Sequence, residues 1–174
     1  MTVEIRPLEK GDDRRSFLSG DEALDLFFHR YAGQNQFRHH IGVTYIAVER
    51  ETILGFITVS PASLDADDVP TGRKLPPFPL PVLRIARLAT DQHARGLGIG
   101  RALLRFGLEL AESVRVQYGC VGVVVDAKPD AVDFYARYGF TEIQPLEGAS
   151  RAIPRPTPMF LALGSIPSRL EVEP

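Results

Sequence analysis

Arg87-Leu88-Ala89-Thr90-Asp91-Gln92-His93-Ala94-Arg95-Gly96-Leu97-Gly98-Ile99-Gly100-Arg101 joins a strand to a helix through a loop carrying three glycines. Upstream, Val82 to Ala89 is rich in β-branched and aliphatic residues and predicts a strand. Downstream, Gly98 to Gln117 predicts a helix, with Ile99, Leu103, Phe106, Leu110 and Val114 as the stripe that packs on a sheet. The unpaired N–H groups at such a helix start favour an anion. Gly96, Gly98 and Gly100 let the backbone approach a pyrophosphate, and Arg95 and Arg101 add charge that can pair with it. The loop is not a P-loop, because Gly100 is followed by Arg101 and Ala102 rather than Lys and Ser/Thr. It also lacks the Gly-x-Gly-x-x-Gly spacing of a dinucleotide fingerprint. Taken alone, it reads equally well as a flexible lead-in to a helix.

Working outward toward the C-terminus, Val121 to Asp126 is an almost continuous apolar run, as expected of a strand covered on both faces. Asp130 or a neighbour is expected to cap a short helix through Tyr138, with Gly139 as its left-handed C-cap. Thr141 to Ile143 and Thr157 to Leu163 complete the strands. Toward the N-terminus, Asp65 to Pro81 holds five prolines and predicts a long irregular connection. Thr44 to Glu49 and Ile53 to Ser60 predict a hairpin, Asp21 to Tyr31 a helix and Val3 to Arg6 a first strand. The alternation of strand and helix in the second half implies an α/β arrangement, a mixed sheet with helices on its faces. One domain over residues 1–164 and a loose tail at 165–174 are expected.

The chain has 174 residues, 44% hydrophobic and 24% charged, which suits one domain with a substantial core. No apolar run is long enough to span a bilayer, and the first residues lack a signal-peptide core, so a cytoplasmic protein without membrane attachment is expected. The single cysteine, Cys120, can form neither an internal disulfide nor a cysteine-based metal site. It reads as a small buried residue, and no metal is expected. A net charge of −2 and a pI near 6.1 argue against wholesale nucleic-acid binding. The distribution qualifies this, because no acid occurs from Leu26 to Val48, from Val69 to Thr90, or from Gln92 to Leu108. Those stretches hold Arg30, Arg38, Arg73, Lys74, Arg84, Arg87, Arg95, Arg101 and Arg105 and all four histidines, so a basic face is available.

Arg95-x-x-Gly98-x-Gly100 resembles the acetyl-coenzyme A signature of the Gcn5-related N-acetyltransferases (GNAT). Asp133-Phe134-Tyr135-Ala136-Arg137-Tyr138-Gly139-Phe140 resembles that family's second signature, in the same order and spacing, with one apolar strand between. The resemblance implies a mixed, mostly antiparallel central sheet splayed between strands four and five, with helices on both faces. It implies acetyl-CoA as cosubstrate, bound by backbone around Leu88 and Thr90 and by the loop residues Arg95, Gly96, Gly98, Ile99, Gly100 and Arg101. Tyr135 occupies the position of the proton donor to the departing sulfur, with Tyr138 the alternative on the same element. Many relatives carry a glutamate base on the strand before the loop, but Val82 to Ala89 has no carboxylate. An α-amine titrates near about 8 and lysine near about 10.4, so the missing base favours an α-amine acceptor.

Phe17 to Phe27, Arg30-Tyr31-Ala32, the proline-rich Leu75 to Pro81 and Val125-Asp126-Ala127 resemble the toxin acetyltransferases of bacterial toxin–antitoxin pairs. That resemblance implies aminoacyl-tRNA as acceptor, Arg38 and Arg87 as substrate-binding residues, and a small ribbon-helix-helix antitoxin as partner. A small-molecule or peptide N-acetyltransferase and a non-catalytic acetyl-CoA-binding module stay open as alternatives. So does a homodimer.

Overall fold

The computed structural model describes residues 2–70, 74–144 and 154–164. Arg73 and the tail expected to be loose lie outside them. Seven strands follow the order β1-β2-β3-β4-β5-β7-β6. They are β1 (Glu4–Pro7), β2 (Val43–Glu49), β3 (Thr52–Leu64), β4 (Leu80–Thr90), β5 (Gly122–Ala127), β6 (Thr141–Glu142) and β7 (Thr157–Ala162). The helices are α1 (Glu22–Leu26), α2 (Ile99–Gln117) and α3 (Val132–Arg137). β1 with β2, β2 with β3, β5 with β7 and β6 with β7 pair antiparallel, whereas β4 and β5 are parallel. This is the expected mixed, mostly antiparallel sheet. Among the described residues no helix is long and apolar enough to cross a membrane.

Two compact units emerge from the packing. The first comprises Met1–Ser60 and Ala86–Gly107. Its core holds Phe17, Phe27, Phe28 and Phe56, with Leu8, Ile46, Val48 and Ile53 around them. Phe28 stacks on Phe56 with ring centroids 4.4 Å apart, and Phe17 meets both edge-on at 4.9 and 5.5 Å. Such aromatic pairs add about 0.5–1.5 kcal/mol each beyond their area burial, so α1 and its continuation are fixed to β3 by side chains rather than by helix propensity.

The helical segment departs from expectation by not ending at Tyr31. After α1, whose cap Asp21 accepts the Leu24 N–H at 3.1 Å, the backbone continues in wide π-type turns over Phe27–Tyr31 and Gln34–His39. It stops at His40, in the left-handed region at φ 53°. Gln34-Asn35-Gln36 carries no apolar periodicity, so the sequence pattern fades there. Tertiary bonds hold the segment instead: Gln36 donates to the Leu8 carbonyl at 3.0 Å and accepts the Thr44 N–H at 2.9 Å.

The second unit comprises Pro61–Ile85 and Leu108–Pro174. Leu64, Val69, Leu80, Val82, Val124 and Phe160 form a core cluster there. β5 is buried along Gly122 to Val125 and pairs with β7 throughout, from Gly122↔Ala162 to Ala127↔Thr157. A Cβ at Gly122 would collide with the Phe160 ring, which lies across the strand at that point.

Two further expectations need correction. The buried side chains of α2 are Ile99, Leu103, Leu104, Leu108 and Ala111; of the expected stripe, Phe106 meets the Tyr45 ring of β2 at 4.7 Å but is half-buried, as are Leu110 and Val114. Gly107 explains the rotated face, since a Cβ there would stand 3.0 Å from Ile57 Cδ1. The helix approaches β3 through a glycine, to which a hydrophobic pattern assigns no weight. In α3 the N-cap position is Ala131 and no side chain caps it, so Asp130 does not play that role. A turn closed by the Ala131 N–H on the Lys128 carbonyl at 2.8 Å leads into the helix instead.

Candidate active site

β4 ends where the glycine loop begins. Its parallel pairing with β5 runs from Val82↔Gly122 to Ile85↔Val125 and stops there, although the strand continues to Thr90. Leu88 and Thr90 lie on that continuation and are half-buried. Asp91 follows, buried, and organises the turn Gln92–Ala94 by accepting the His93 N–H at 2.8 Å. Its other carboxylate oxygen accepts the Leu18 N–H at 3.0 Å, and the Gln92 N–H returns to the Leu18 carbonyl at 2.8 Å. Arg95 Nη2 donates to the Ser19 carbonyl at 2.6 Å. Ser19 is fixed from behind by Asp25, whose Oδ1 accepts its N–H at 2.8 Å and its hydroxyl at 2.7 Å. The segment Leu18–Ser19 is thereby clasped to the loop. Arg95, expected to face phosphate, uses one of its five N–H donors in that clasp.

Gly96 and Gly98 both adopt φ +79°, and a Cβ on either would meet nothing within 4 Å. The glycines are required by backbone conformation, and the space beside them is open. The first helical bond of α2 runs from the Ala102 N–H to the Gly98 carbonyl at 3.0 Å. The N–H groups of Ile99 and Gly100 precede it and have no backbone partner among the described residues. An open, left-handed glycine pair ahead of a helix start is an arrangement that can take up a pyrophosphate. Ile99 contributes only backbone to it, because its side chain is buried. Arg101 is half-buried beside it on the first turn. Gly55 in β3 makes this placement feasible: a Cβ there would lie 2.8 Å from Ile99 Cγ2, 2.9 Å from the Ala89 carbonyl oxygen and 2.9 Å from Leu103 Cδ1.

Tyr135 sits in α3 with its ring buried, edge-on to Phe134 at 5.1 Å and to Phe140 at 5.4 Å. No hydrogen bond of its hydroxyl is found among the described residues. Burial pushes the hydroxyl well above the ordinary tyrosine range, so it holds its proton throughout neutral and mildly alkaline pH. Tyr138 is also buried and meets Phe134 at 5.3 Å. The Asp126 carboxylate on β5 is engaged by the Arg84 guanidinium. Arg87 stacks on Phe27 with its guanidinium carbon 3.7 Å from the ring centroid, and Arg38 is exposed near the end of the helical segment.

Asp91, Gly55 and Asp25 were not singled out by the sequence pattern. A glycine inside a strand is a general sign of close backbone approach, and an Asp directly after a strand is a general sign of a cap, so the first two carried usable signals.

A family model described as an acetyltransferase (GNAT) domain matches residues 40–142. The tRNA-acetylating toxin of Mycobacterium tuberculosis is 30% identical over 146 residues, which cover 82% of this chain and 86% of that relative. Among solved structures, AtaT complexed with acetyl-methionyl-tRNAfMet gives a TM-score of 0.80 at 24% identity, covering 92% of this chain and 95% of that one. AtaTR bound with AcCoA gives a TM-score of 0.74 at 25% identity, covering 97% and 96%. The chain belongs to the GNAT acetyltransferase family. It is an N-acetyltransferase that uses acetyl-CoA.

Proposed function

We propose that this chain transfers the acetyl group of acetyl-CoA to the α-amine of aminoacyl-tRNA, as a cytoplasmic toxin held in check by a small ribbon-helix-helix antitoxin. The observation that carries the reading is the 30% identity to a tRNA-acetylating toxin, spread over 82% of this chain and 86% of the relative. The loop from Gly96 to Arg101 binds the pyrophosphate through backbone N–H groups, with Arg95 and Arg101 adding charge. The backbone of Leu88 and Thr90 holds the pantetheine arm as an added strand would be held. Arg38 and Arg87 contact tRNA phosphates, each within a stretch free of acids, from Leu26 to Val48 and from Val69 to Thr90.

In the reaction the amine nitrogen forms a bond to the thioester carbonyl carbon and the carbon–sulfur bond breaks. Tyr135 supplies the proton taken up by the departing sulfur. The proton shed by the attacking amine restores Tyr135 through water, so the balance closes without a metal or redox partner. Incubation with labelled acetyl-CoA and charged total tRNA, beside free amines and peptides, tests the assignment. Label should enter the charged tRNA, with a rate that falls steeply as salt rises. Salt-insensitive labelling of free amines alone would leave a general N-acetyltransferase, and no labelling at all would leave a binding module.

A further inference from the structure

The end of α3 is built to hold one ring. The Gly139 N–H donates to the Ala136 carbonyl at 3.1 Å, and the Phe140 N–H donates to the Tyr135 carbonyl at 3.2 Å. With Gly139 at φ +95°, these two bonds form a Schellman motif, in which the residue after the glycine reaches back to the one at its start. Tyr135 is that starting residue. Its carbonyl accepts a second N–H, from Tyr138, at 3.0 Å. The side chains close the same loop, since the buried Phe140 ring meets the Tyr135 ring edge-on at 5.4 Å and an interplanar angle of 66°. Phe134 meets it from another side at 5.1 Å. Phe140 thus holds both the backbone and the ring of Tyr135, and no hydrogen bond of the hydroxyl is found among the described residues.

We infer that Phe140 is a positioning residue for acetyl transfer: its ring fixes the direction in which the Tyr135 hydroxyl presents its proton. The inference rests on the reading of Tyr135 as proton donor. A hydroxyl at the tip of an aromatic ring swings far for a small rotation about the Cα–Cβ bond, and a misplacement of about 1 Å can cost about 10²-fold in rate. Among the described residues, ring contacts are what restrains that tip. The Gly-Phe pair closing the helix therefore serves the tyrosine one turn earlier, and Phe140 touches no reacting atom.

The test is a double-mutant cycle on kcat, measured by single-turnover acetyl transfer at saturating acetyl-CoA. Phe140→Leu keeps the backbone bonds and removes the ring edge, and Phe140→Met serves if the leucine variant melts too low to assay. In the Tyr135 background, kcat should fall about three- to tenfold, on the scale of one lost aromatic contact, with acetyl-CoA affinity unchanged within about twofold. In the Tyr135→Phe background, the same substitution should cost less than about twofold, because no hydroxyl remains to be aimed. A merely structural role would lower kcat equally in both backgrounds and would overturn the inference, as would an unchanged kcat in the Tyr135 background. If Tyr135→Phe by itself leaves kcat intact, the proton-donor reading falls and the positioning role with it. If Tyr135→Phe is slow and Phe140→Leu is not, the positioning role alone falls.

Discussion

Two parts of this molecule use left-handed glycines for opposite purposes. At Gly96 and Gly98 the conformation leaves the space beside the backbone open. At Gly139 it turns the chain back, so that two N–H groups are consumed by the carbonyls of Tyr135 and Ala136 and one ring is set edge-on against another. On the proposed reading, the first arrangement makes a site from backbone, and the second makes one from a single side chain held by its neighbours. That reading predicts that binding and chemistry are separable by mutation.

The largest effect belongs to Tyr135→Phe. It removes only the hydroxyl and should lower kcat by about 10²–10⁴-fold, while calorimetry finds acetyl-CoA affinity within about twofold of the parent. A parallel loss of affinity would mean that the tyrosine belongs to binding as well. Gly98→Asp should do the reverse. It forces a side chain into a left-handed conformation and sets a carboxylate against phosphate, so affinity should fall by at least about 30-fold. Gly98→Ala carries the backbone strain without the charge and should cost about 5- to 30-fold. The gap between the two variants measures the anion directly, and equal losses would remove phosphate from the loop.

Gly55→Ala tests the support of the loop rather than the loop itself. With Ile99, Ala89 and Leu103 all within 2.9 Å of the added methyl, overpacking should destabilise the fold by about 1–3 kcal/mol, seen as a lower melting temperature. Unaltered melting would show that the start of α2 yields easily. The smallest effect is on the pH profile. An α-amine that titrates at about 8 is half neutral at that pH, so kcat/KM should rise through about pH 8 and level off about one unit above it. On the proposed reading Tyr135 acts while protonated, and burial raises its pKa above the ordinary value of about 10, so no alkaline fall should appear below that pH. An alkaline limb near pH 9 that disappears in Tyr135→Phe would contradict the burial argument.

Much of this could be read from the chain, and the exceptions share a cause. The hairpin, the long amphipathic helix and the buried β5 announced themselves because period and composition agree there with tertiary need. The glycine loop was legible because backbone requirements leave a mark on residue type. The turns over Gln34–His39 were not, since Gln36 holds them through bonds to Leu8 and Thr44 that no local pattern encodes. The buried face of α2 was displaced because Gly107 seats the helix by lacking a side chain. Asp91 could be suspected as a cap, but its second bond reaches Leu18, 73 residues away. The enclosure of Tyr135 shows the same limit: its place in a motif is visible in sequence, while the ring edges that hold it are not.

The central claim is acetyl transfer to an α-amine at the end of a tRNA. The most direct measurement compares two charged tRNAs that differ only at that nitrogen, one carrying a free methionyl group and the other a formylated one. Each is incubated with labelled acetyl-CoA, the ester is hydrolysed, and the released amino acid is identified by mass spectrometry. The account predicts N-acetylmethionine from the first and no label from the second. Label on the formylated tRNA, or label retained on the nucleic acid after hydrolysis, would contradict it.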